Sequence, residues 1–210
     1  MELLQVGPVR VLFVMAAPVE YGPCLQALFR PLICGVGPVE AAISVTKALV
    51  ELGPGRPDLV VSLGSAGSAR LGKTQVYQAS SVAWRDMDAS ALGFSKGVTP
   101  FLDLPATQTL PLRIPGVPLA SLSTGGNVVS GDGYRAIPED MVDMETFAVL
   151  RACQGFSVPL IALRGISDGD QELSGLQDWQ EYLHVVDANL AVAVQAMIGA
   201  LQSGGLAALR

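Results

Sequence analysis

The chain has 210 residues, of which 50% are hydrophobic and 15% are charged, so we expect one domain with a sizeable core. A net charge of −6 without a run of basic residues predicts no nucleic-acid partner. No apolar run approaches the ~18 residues of a membrane span, and the first residues lack the features of a signal peptide, so we expect neither a membrane partner nor secretion.

Hydrophobic patterning predicts alternating strands and helices in the first half of the chain. The continuous apolar run 9–16 indicates a buried strand, and Pro18 suits the first turn of the short helix after it. A strand at 58–63 breaks at Gly64-Ser-Ala-Gly67, which we interpret as a tight turn. Between these strands, the pattern predicts a brief strand at 31–34 and a helix at 39–52.

The second half continues the alternation after a long irregular segment. Residues 86–118 contain Gly and Pro throughout, and such long loops are usually functional or bound in an interface. Around this segment we expect strands at 76–84, 119–123 and 159–163, helices at 141–154 and 176–201, and a frayed tail at 202–210. Alternating strands and helices predict a single α/β domain over residues 1–210.

Cysteine and histidine usage points to a cytoplasmic protein without a metal centre. The three cysteines, Cys24, Cys34 and Cys153, are scattered and odd in number, which is typical of reduced thiols. The one histidine, His184, is expected to lie on a helix without a chemical role. The high apolar share also suggests that part of the surface is covered in an oligomer.

Acidic residues follow apolar segments at three places. Asp168, in Arg164-Gly-Ile-Ser-Asp168, comes just after a predicted buried strand, where partial desolvation would raise its pKa and suit it to general acid catalysis. Taken alone, however, Ser167 and Asp168 are more typical of a helix N-cap. Glu145 could converge on the same pocket. Taken alone, Glu145 and Glu20 are each more typical of a solvated helix residue.

Glycine motifs and aromatic residues give weaker signals. Gly35-Val-Gly37 before a helix resembles the start of a dinucleotide fingerprint, but Glu40 stands where the third glycine belongs, which favours a simple tight turn. The small residues at 64–67 would let a backbone approach a ligand. Tyr134 and Trp179 could stack on a heterocycle, but each alone is more typical of core packing or surface cover.

Five motifs occur in a fixed order along the chain. They are Gly64-Ser-Ala-Gly67, Asp86–Phe94, Ser130-Gly-Asp132, Val142-Asp-Met-Glu145 and Arg164-Gly-Ile-Ser-Asp168. This series resembles the purine nucleoside phosphorylase/nucleosidase superfamily, and it looks most like the 5′-methylthioadenosine/S-adenosylhomocysteine nucleosidases, over about residues 11–200. The resemblance implies a central mixed β-sheet flanked by helices and no cofactor.

The resemblance also implies the catalytic roles. Asp168 would protonate adenine N7 with support from Ser167. Glu20 would activate the hydrolytic water, with Ser65 and Arg164 nearby. Protonated adenine leaves as a neutral base, and carboxylates favour the oxocarbenium-like sugar that remains.

The binding residues implied by the resemblance surround the nucleoside. Glu145 would hold the ribose 2′ and 3′ hydroxyls, and Met144 would pack beside the sugar. The base would be met by residues from several segments, and the 86–94 loop would reach the pocket of the partner subunit in a homodimer. These further residues are Ala66 and Gly67 against the base or ribose, Tyr134 and Arg135 at the adenine, and Trp179 in the flap over the site.

Water is the expected nucleophile. Phosphorolytic relatives usually carry an arginine just before the Gly-Ser motif, where this chain has Leu63, and Ala17-Pro-Val-Glu20 supplies no cation either. We therefore expect hydrolysis of methylthioadenosine, S-adenosylhomocysteine or 5′-deoxyadenosine, in methionine salvage. The alternatives are a nucleosidase for another purine nucleoside such as futalosine or AMP, a purine nucleoside phosphorylase, a non-catalytic nucleoside-binding protein and, least favoured, a nicotinamide oxidoreductase.

Overall fold

The computed structural model describes residues 1–169, 171 and 175–210. Within them the expected alternation of strands and helices is present. The strands are Leu3–Val6 (β1), Val9–Met15 (β2), Leu32–Ile33 (β3), Leu59–Gly67 (β4), Val76–Trp84 (β5), Thr107–Thr109 (β6), Leu119–Thr124 (β7), Met141–Asp143 (β8) and Leu160–Asp168 (β9). The helices are Pro23–Gln26 (α1), Pro38–Leu52 (α2), Thr146–Gly155 (α3), Leu176–Gln180 (α4) and Leu183–Gly204 (α5).

The strands form one mixed sheet. β2, β4 and β9 run parallel to each other, as do β5, β7 and β8, and β5 meets β9 antiparallel. A single antiparallel bridge between Gly67 and Val142 joins β4 to β8. The pairings among β4, β9, β5, β7 and β8 therefore close a ring, and the mixed sheet flanked by helices is confirmed.

Side-chain alternation gives β2 two buried faces. In β2, Leu12 and Val14 pack towards α2 and α3, whereas Val11, Phe13 and Met15 pack towards α1 and α5. Strands covered on both faces read as continuous apolar runs, which is why the pattern at 9–16 predicted a buried strand. The ends of β2, β4 and β9 are thereby held at one edge of the sheet.

Two predicted boundaries are corrected. Met141–Asp143 is a strand rather than the start of a helix, because it pairs with β7 at the Leu122–Met141 register. The tight turn expected at Gly64-Ser-Ala-Gly67 is instead the last part of β4, which pairs with β9 along its length. The small residues there allow close approach without ending the strand.

The carboxyl-terminal region is also more ordered than expected. The predicted helix at 176–201 divides at Glu181–Tyr182 into α4 and α5. The tail at 202–210 is not frayed: α5 continues to Gly204, a 3-10 turn follows, and the Leu209 side chain is fully buried. The Arg113 amide donates to the Leu209 carbonyl oxygen at 2.6 Å, so the tail is tied to the domain.

The apolar character of this region has a structural explanation. By length and composition alone, Leu176–Leu209 could cross a membrane, with a mean hydropathy of 1.5 over an 18-residue window. In the fold, however, one face of α5 is buried against the sheet through Leu190, Val194 and Met197. Asp187 on the same face accepts hydrogen bonds from the first amides of α1. These contacts are those of a core helix.

Candidate active site

A cavity of about 550 Å³ opens at the edge of the sheet where β2, β4, β8 and β9 end. Its lining comes from far-apart parts of the sequence, because the parallel strands β2, β4 and β9 deliver their carboxyl ends to the same place, where β8 meets β4 at the antiparallel Gly67–Val142 bridge. Three carboxylates named from the sequence, Glu20, Glu145 and Asp168, line this cavity. Ser65, Ala66, Gly67, Met144 and Trp179 line it as well.

Asp168 reaches the cavity through an irregularity in β9. Ala66 pairs with Ile166 but Gly67 pairs with Asp168, so Ser167 is an extra residue on β9. Such a bulge redirects the side chains beside it. Asp168 is consequently the last residue of the strand rather than a helix cap, and its carboxyl faces the backbone of Gly67.

The Asp168 carboxyl is buried and held from both sides. The Ser167 hydroxyl donates to Oδ1 at 2.6 Å, and the Tyr134 hydroxyl donates to Oδ2 at 3.3 Å. Burial raises the pKa of Asp168 above its usual range, and the hydrogen bonds from Ser167 and Tyr134 partly oppose that rise. A carboxyl with a raised pKa retains a proton closer to neutral pH, as a general acid requires.

Glu20 is a buried residue and not an exposed one at a helix start. It follows β2 in a 3-10 turn begun by Pro18, and it is 8% exposed. Its Oε1 accepts hydrogen bonds from the Ser65 amide and the Ser65 hydroxyl, both at 2.7 Å. Burial raises the pKa of Glu20, while the Ser65 hydrogen bonds and the charge of Arg164 lower it. A desolvated, oriented carboxylate of this kind can serve as a general base.

Glu145 is fixed by a residue that the sequence left unassigned. Its Oε1 accepts a hydrogen bond from the Gly37 amide at 2.8 Å. Gly37 has φ 95°, a conformation that glycine adopts without strain, so the Gly35-Val-Gly37 turn aims its amide at the carboxylate. Burial, and then the nearby Asp143 carboxylate, raise the pKa of Glu145 to about 7. The incomplete glycine fingerprint was the signal that could have indicated this amide.

Arg164 does not line the cavity, which corrects its expected place beside the water. It is 2% exposed and lies under the site on the α3 side of β9. Its Nε and Nη2 donate to Asp143 Oδ2 at 3.0 and 2.8 Å. Nη1 and Nη2 also donate to the carbonyl and hydroxyl oxygens of Ser62. Alternation along β9 puts Arg164 on this face, and the buried carboxylate of Asp143 then pairs with it.

The three remaining predictions have different outcomes. Arg135 lies outside the cavity lining, exposed and paired with Asp132 at 2.8 Å, so it cannot contact adenine there. Tyr134 is 8% exposed and contacts the acid through its hydroxyl, rather than offering a ring face to the cavity. Trp179 of α4 does line the cavity, and its indole N–H donates to Ser65 Oγ at 2.8 Å.

One cation in the lining was missed. Arg85, directly after β5, is the only Lys or Arg among the described lining residues. Its guanidinium donates to the main-chain oxygens of Ser123, Asp143 and Asn127, and it therefore braces the backbone beside Glu145. Among the described residues, no group of three or more His, Cys, Asp or Glu side chains could hold a metal ion.

Comparisons with known proteins agree with this architecture. The family model described as "Phosphorylase superfamily" matches residues 127–199. A 5′-methylthioadenosine/S-adenosylhomocysteine nucleosidase of Staphylococcus aureus (strain MRSA252) is 29% identical over 188 residues, covering 80% of this chain and 79% of that protein.

Solved structures share the fold at low sequence identity. The adenine complex of the corresponding nucleosidase from Colwellia psychrerythraea superposes with a TM-score of 0.76 at 20% identity, covering 93% of this chain and 97% of that one. A futalosine hydrolase mutant of Helicobacter pylori gives 0.75 at 18% identity, covering 90% and 98%. The chain is therefore similar to the phosphorylase superfamily over residues 127–199, and the proteins that it resembles include methylthioadenosine/S-adenosylhomocysteine nucleosidases.

Proposed function

We propose that this protein is a nucleosidase that hydrolyses the N-glycosidic bond of 5′-substituted adenosines, releasing adenine and the free sugar. The observation that carries the proposal is the pair of buried carboxyls, Asp168 and Glu20, each oriented by a serine in one cavity. Binding a nucleoside needs no such pair, whereas hydrolysis needs an acid for the leaving base and a base for the water.

The proposed reaction divides the work between the two buried carboxyls. Asp168 donates its proton to adenine N7 as the bond between C1′ and N9 breaks, so adenine departs as a neutral base. Glu20 takes a proton from water, whose oxygen forms the new bond to C1′. Glu145, held by the Gly37 amide, accepts hydrogen bonds from the ribose hydroxyls, and Met144 packs beside the sugar. The Glu145 carboxylate also stabilises the positive charge that develops on the ribosyl group.

Phosphorolysis is the less suitable reaction for this cavity. A dianionic co-substrate needs a cation with N–H groups directed at it. Arg85 is the only Lys or Arg among the described lining residues, and its guanidinium binds three main-chain oxygens. Water has no such requirement, so hydrolysis is favoured.

The residues at the rim of the cavity favour a substrate with an apolar 5′ substituent. Val36, Val128 and Leu176 line the cavity and remain 57%, 65% and 66% exposed, which indicates an apolar rim. A methylthio group would bury apolar surface there, whereas a 5′-phosphate would lose its hydration without a cation in return. We therefore propose methylthioadenosine as the preferred substrate. Methionine salvage is the pathway that we propose for the enzyme.

The test is adenine release from a panel of 5′-substituted adenosines and futalosine, with and without phosphate. We expect release without phosphate, fastest for methylthioadenosine. Asp168→Asn should lower kcat by about 10²–10⁴-fold, the usual contribution of a general acid. Asp132→Asn, at an exposed carboxylate, is the matched control. Release that strictly requires phosphate, or a near-normal rate in Asp168→Asn, contradicts the proposal.

We also propose that two copies of this chain pair in the cytoplasm. Val39, Ile43 and Val50 lie on one side of α2 and are 58–65% exposed, and such an apolar stripe is typical of an interface. The 86–94 loop would then approach the pocket of the other copy. Ile43→Glu should halve the mass measured by light scattering, whereas Val192→Glu on exposed α5 surface should not. A monomeric wild-type protein would exclude the pairing.

A further inference from the structure

Trp179 makes a polar side-chain contact in the wall of the cavity. Its indole Nε1–H donates to Ser65 Oγ at 2.8 Å, and the two residues are 114 positions apart in the sequence. Ser65 is the residue that holds Glu20. The indole of α4 is therefore connected to the proposed general base through one hydroxyl group.

The chemistry of that hydroxyl fixes its direction. An indole N–H can only donate, so Ser65 Oγ is the acceptor in this contact. The single hydroxyl proton of Ser65 must then point elsewhere, and Glu20 Oε1 lies 2.7 Å away to accept it. The Ser65 amide donates to the same oxygen. Two donors on Oε1 fix the rotation of the carboxylate and leave Oε2 as the oxygen that is not engaged by Ser65.

Arg164 cannot take over this orienting role. Its guanidinium is fully engaged below the cavity with Asp143, Ser62 and Thr146. It influences Glu20 through charge alone, whereas Ser65 contacts it directly. The Ser65 hydroxyl is thus the side-chain donor that orients Glu20, beside the backbone amides of Ser65 and Ala17, and Trp179 directs that hydroxyl.

We propose that Trp179 is a positioning residue for the general base: its indole N–H directs the Ser65 hydroxyl onto Glu20 Oε1, so that Oε2 receives the proton of the water. This role rests on the proposed nucleosidase activity. It differs from packing over the nucleoside, for which any aromatic ring would serve. Substitution can therefore distinguish the role of the Trp179 N–H group from the role of its ring.

The first test is a double-mutant cycle with Trp179→Phe and Ser65→Ala. Trp179→Phe keeps an aromatic ring but removes the N–H, so we expect kcat to fall about three- to tenfold with KM within about twofold, as for loss of one hydrogen bond. In a Ser65→Ala background, Trp179→Phe should change kcat less than about twofold. Trp84→Phe, at an indole stacked on Phe147, is the matched control.

The pH dependence of kcat/KM distinguishes positioning from packing, because a loss of packing by Trp179 would leave the pKa of Glu20 unchanged. Hydrogen bonds from Ser65 lower the pKa of Glu20, so a less well directed hydroxyl lets that pKa rise. Because the base must be ionised, the acidic limb of kcat/KM should move to higher pH in Trp179→Phe. The other charged or titratable groups that act on Glu20, namely Arg164, Glu145 and Cys34, stay unchanged in this variant. An unmoved limb, or equal effects of Trp179→Phe with and without Ser65, would overturn the proposal.

A second measurement does not need activity. The chain has two tryptophans, so Trp84→Phe leaves Trp179 as the only indole. We expect its fluorescence to titrate with Glu20, and Glu20→Gln and Ser65→Ala each to abolish that transition. A transition that persists unchanged in Ser65→Ala overturns the coupling. If the wild-type protein releases no adenine, the proposed function fails, and this titration still decides whether Trp179 and Glu20 are linked.

Discussion

Replacing Arg164 by methionine should destabilise this protein more than any other change of an ionic contact described above. Arg164 and Asp143 are 2% and 1% exposed at their side chains. Methionine has a similar length but no donors, so it would leave the Asp143 carboxylate buried without its cation. Removing one partner of a buried pair costs about 3–5 kcal/mol of unfolding free energy. The lower half of that range applies, because Thr124 and Thr146 still donate to Asp143.

Urea denaturation measures this loss directly. With a slope near ~3 kcal/mol per molar urea for a chain of this size, the midpoint should fall by roughly 1 M or slightly more. Arg10→Met is the matched control, since Arg10 pairs with Asp58 in the same way but with both side chains 36% exposed. Its midpoint should shift several-fold less, because solvent screens exposed pairs.

A double variant separates the charge effect from lost packing. Arg164→Met with Asp143→Leu removes both charges, and the midpoint should recover towards the wild-type value, since apolar replacement of a buried pair is often neutral. The reasoning is refuted if Arg164→Met loses no more stability than Arg10→Met. It is also refuted if the double variant is less stable than Arg164→Met alone, since that would mean packing, and not the unpaired charge, dominates.

Three further predictions concern the acid and the chain end. Tyr134→Phe removes a hydrogen bond that lowers the pKa of Asp168, so that pKa should rise. Because the acid must be protonated, the alkaline limb of kcat/KM should then move to higher pH, and a shift to lower pH would contradict the donor role of Tyr134. Gly67→Ala would bring a methyl group 2.1 Å from the Tyr134 hydroxyl and 2.6 Å from Asp168 Oδ2, so activity should fall at least about tenfold, whereas Gly199→Ala on open helix surface should keep it. Leu209→Ala should lower the free energy of unfolding by about 2–5 kcal/mol, as for a buried leucine, and an unchanged urea midpoint would mean that the tail is not part of the core.

Much of the fold could be predicted because local patterning reports burial. The strand at Val76–Trp84 has the predicted bounds, and the helix at Pro38–Leu52 begins one residue earlier than predicted. The short strands β1, β6 and β8 were missed, because three or four residues carry too little periodicity. The split between α4 and α5 was missed since the apolar pattern continues through it. The catalytic roles of Asp168 and Glu20 stay predictions, although both residues line the cavity.

The sequence by itself determined that this chain forms one α/β domain and that its acidic motifs follow strands in a particular order. The tertiary structure alone decided where their partners come from. The register of β4 against β9 creates the bulge at Ser167, the turn at Gly37 supplies an amide to Glu145, and Trp179 reaches Ser65. Periodicity records which face of an element is buried, but a hydrogen bond between residues over 100 positions apart depends on register and packing, which no local pattern encodes.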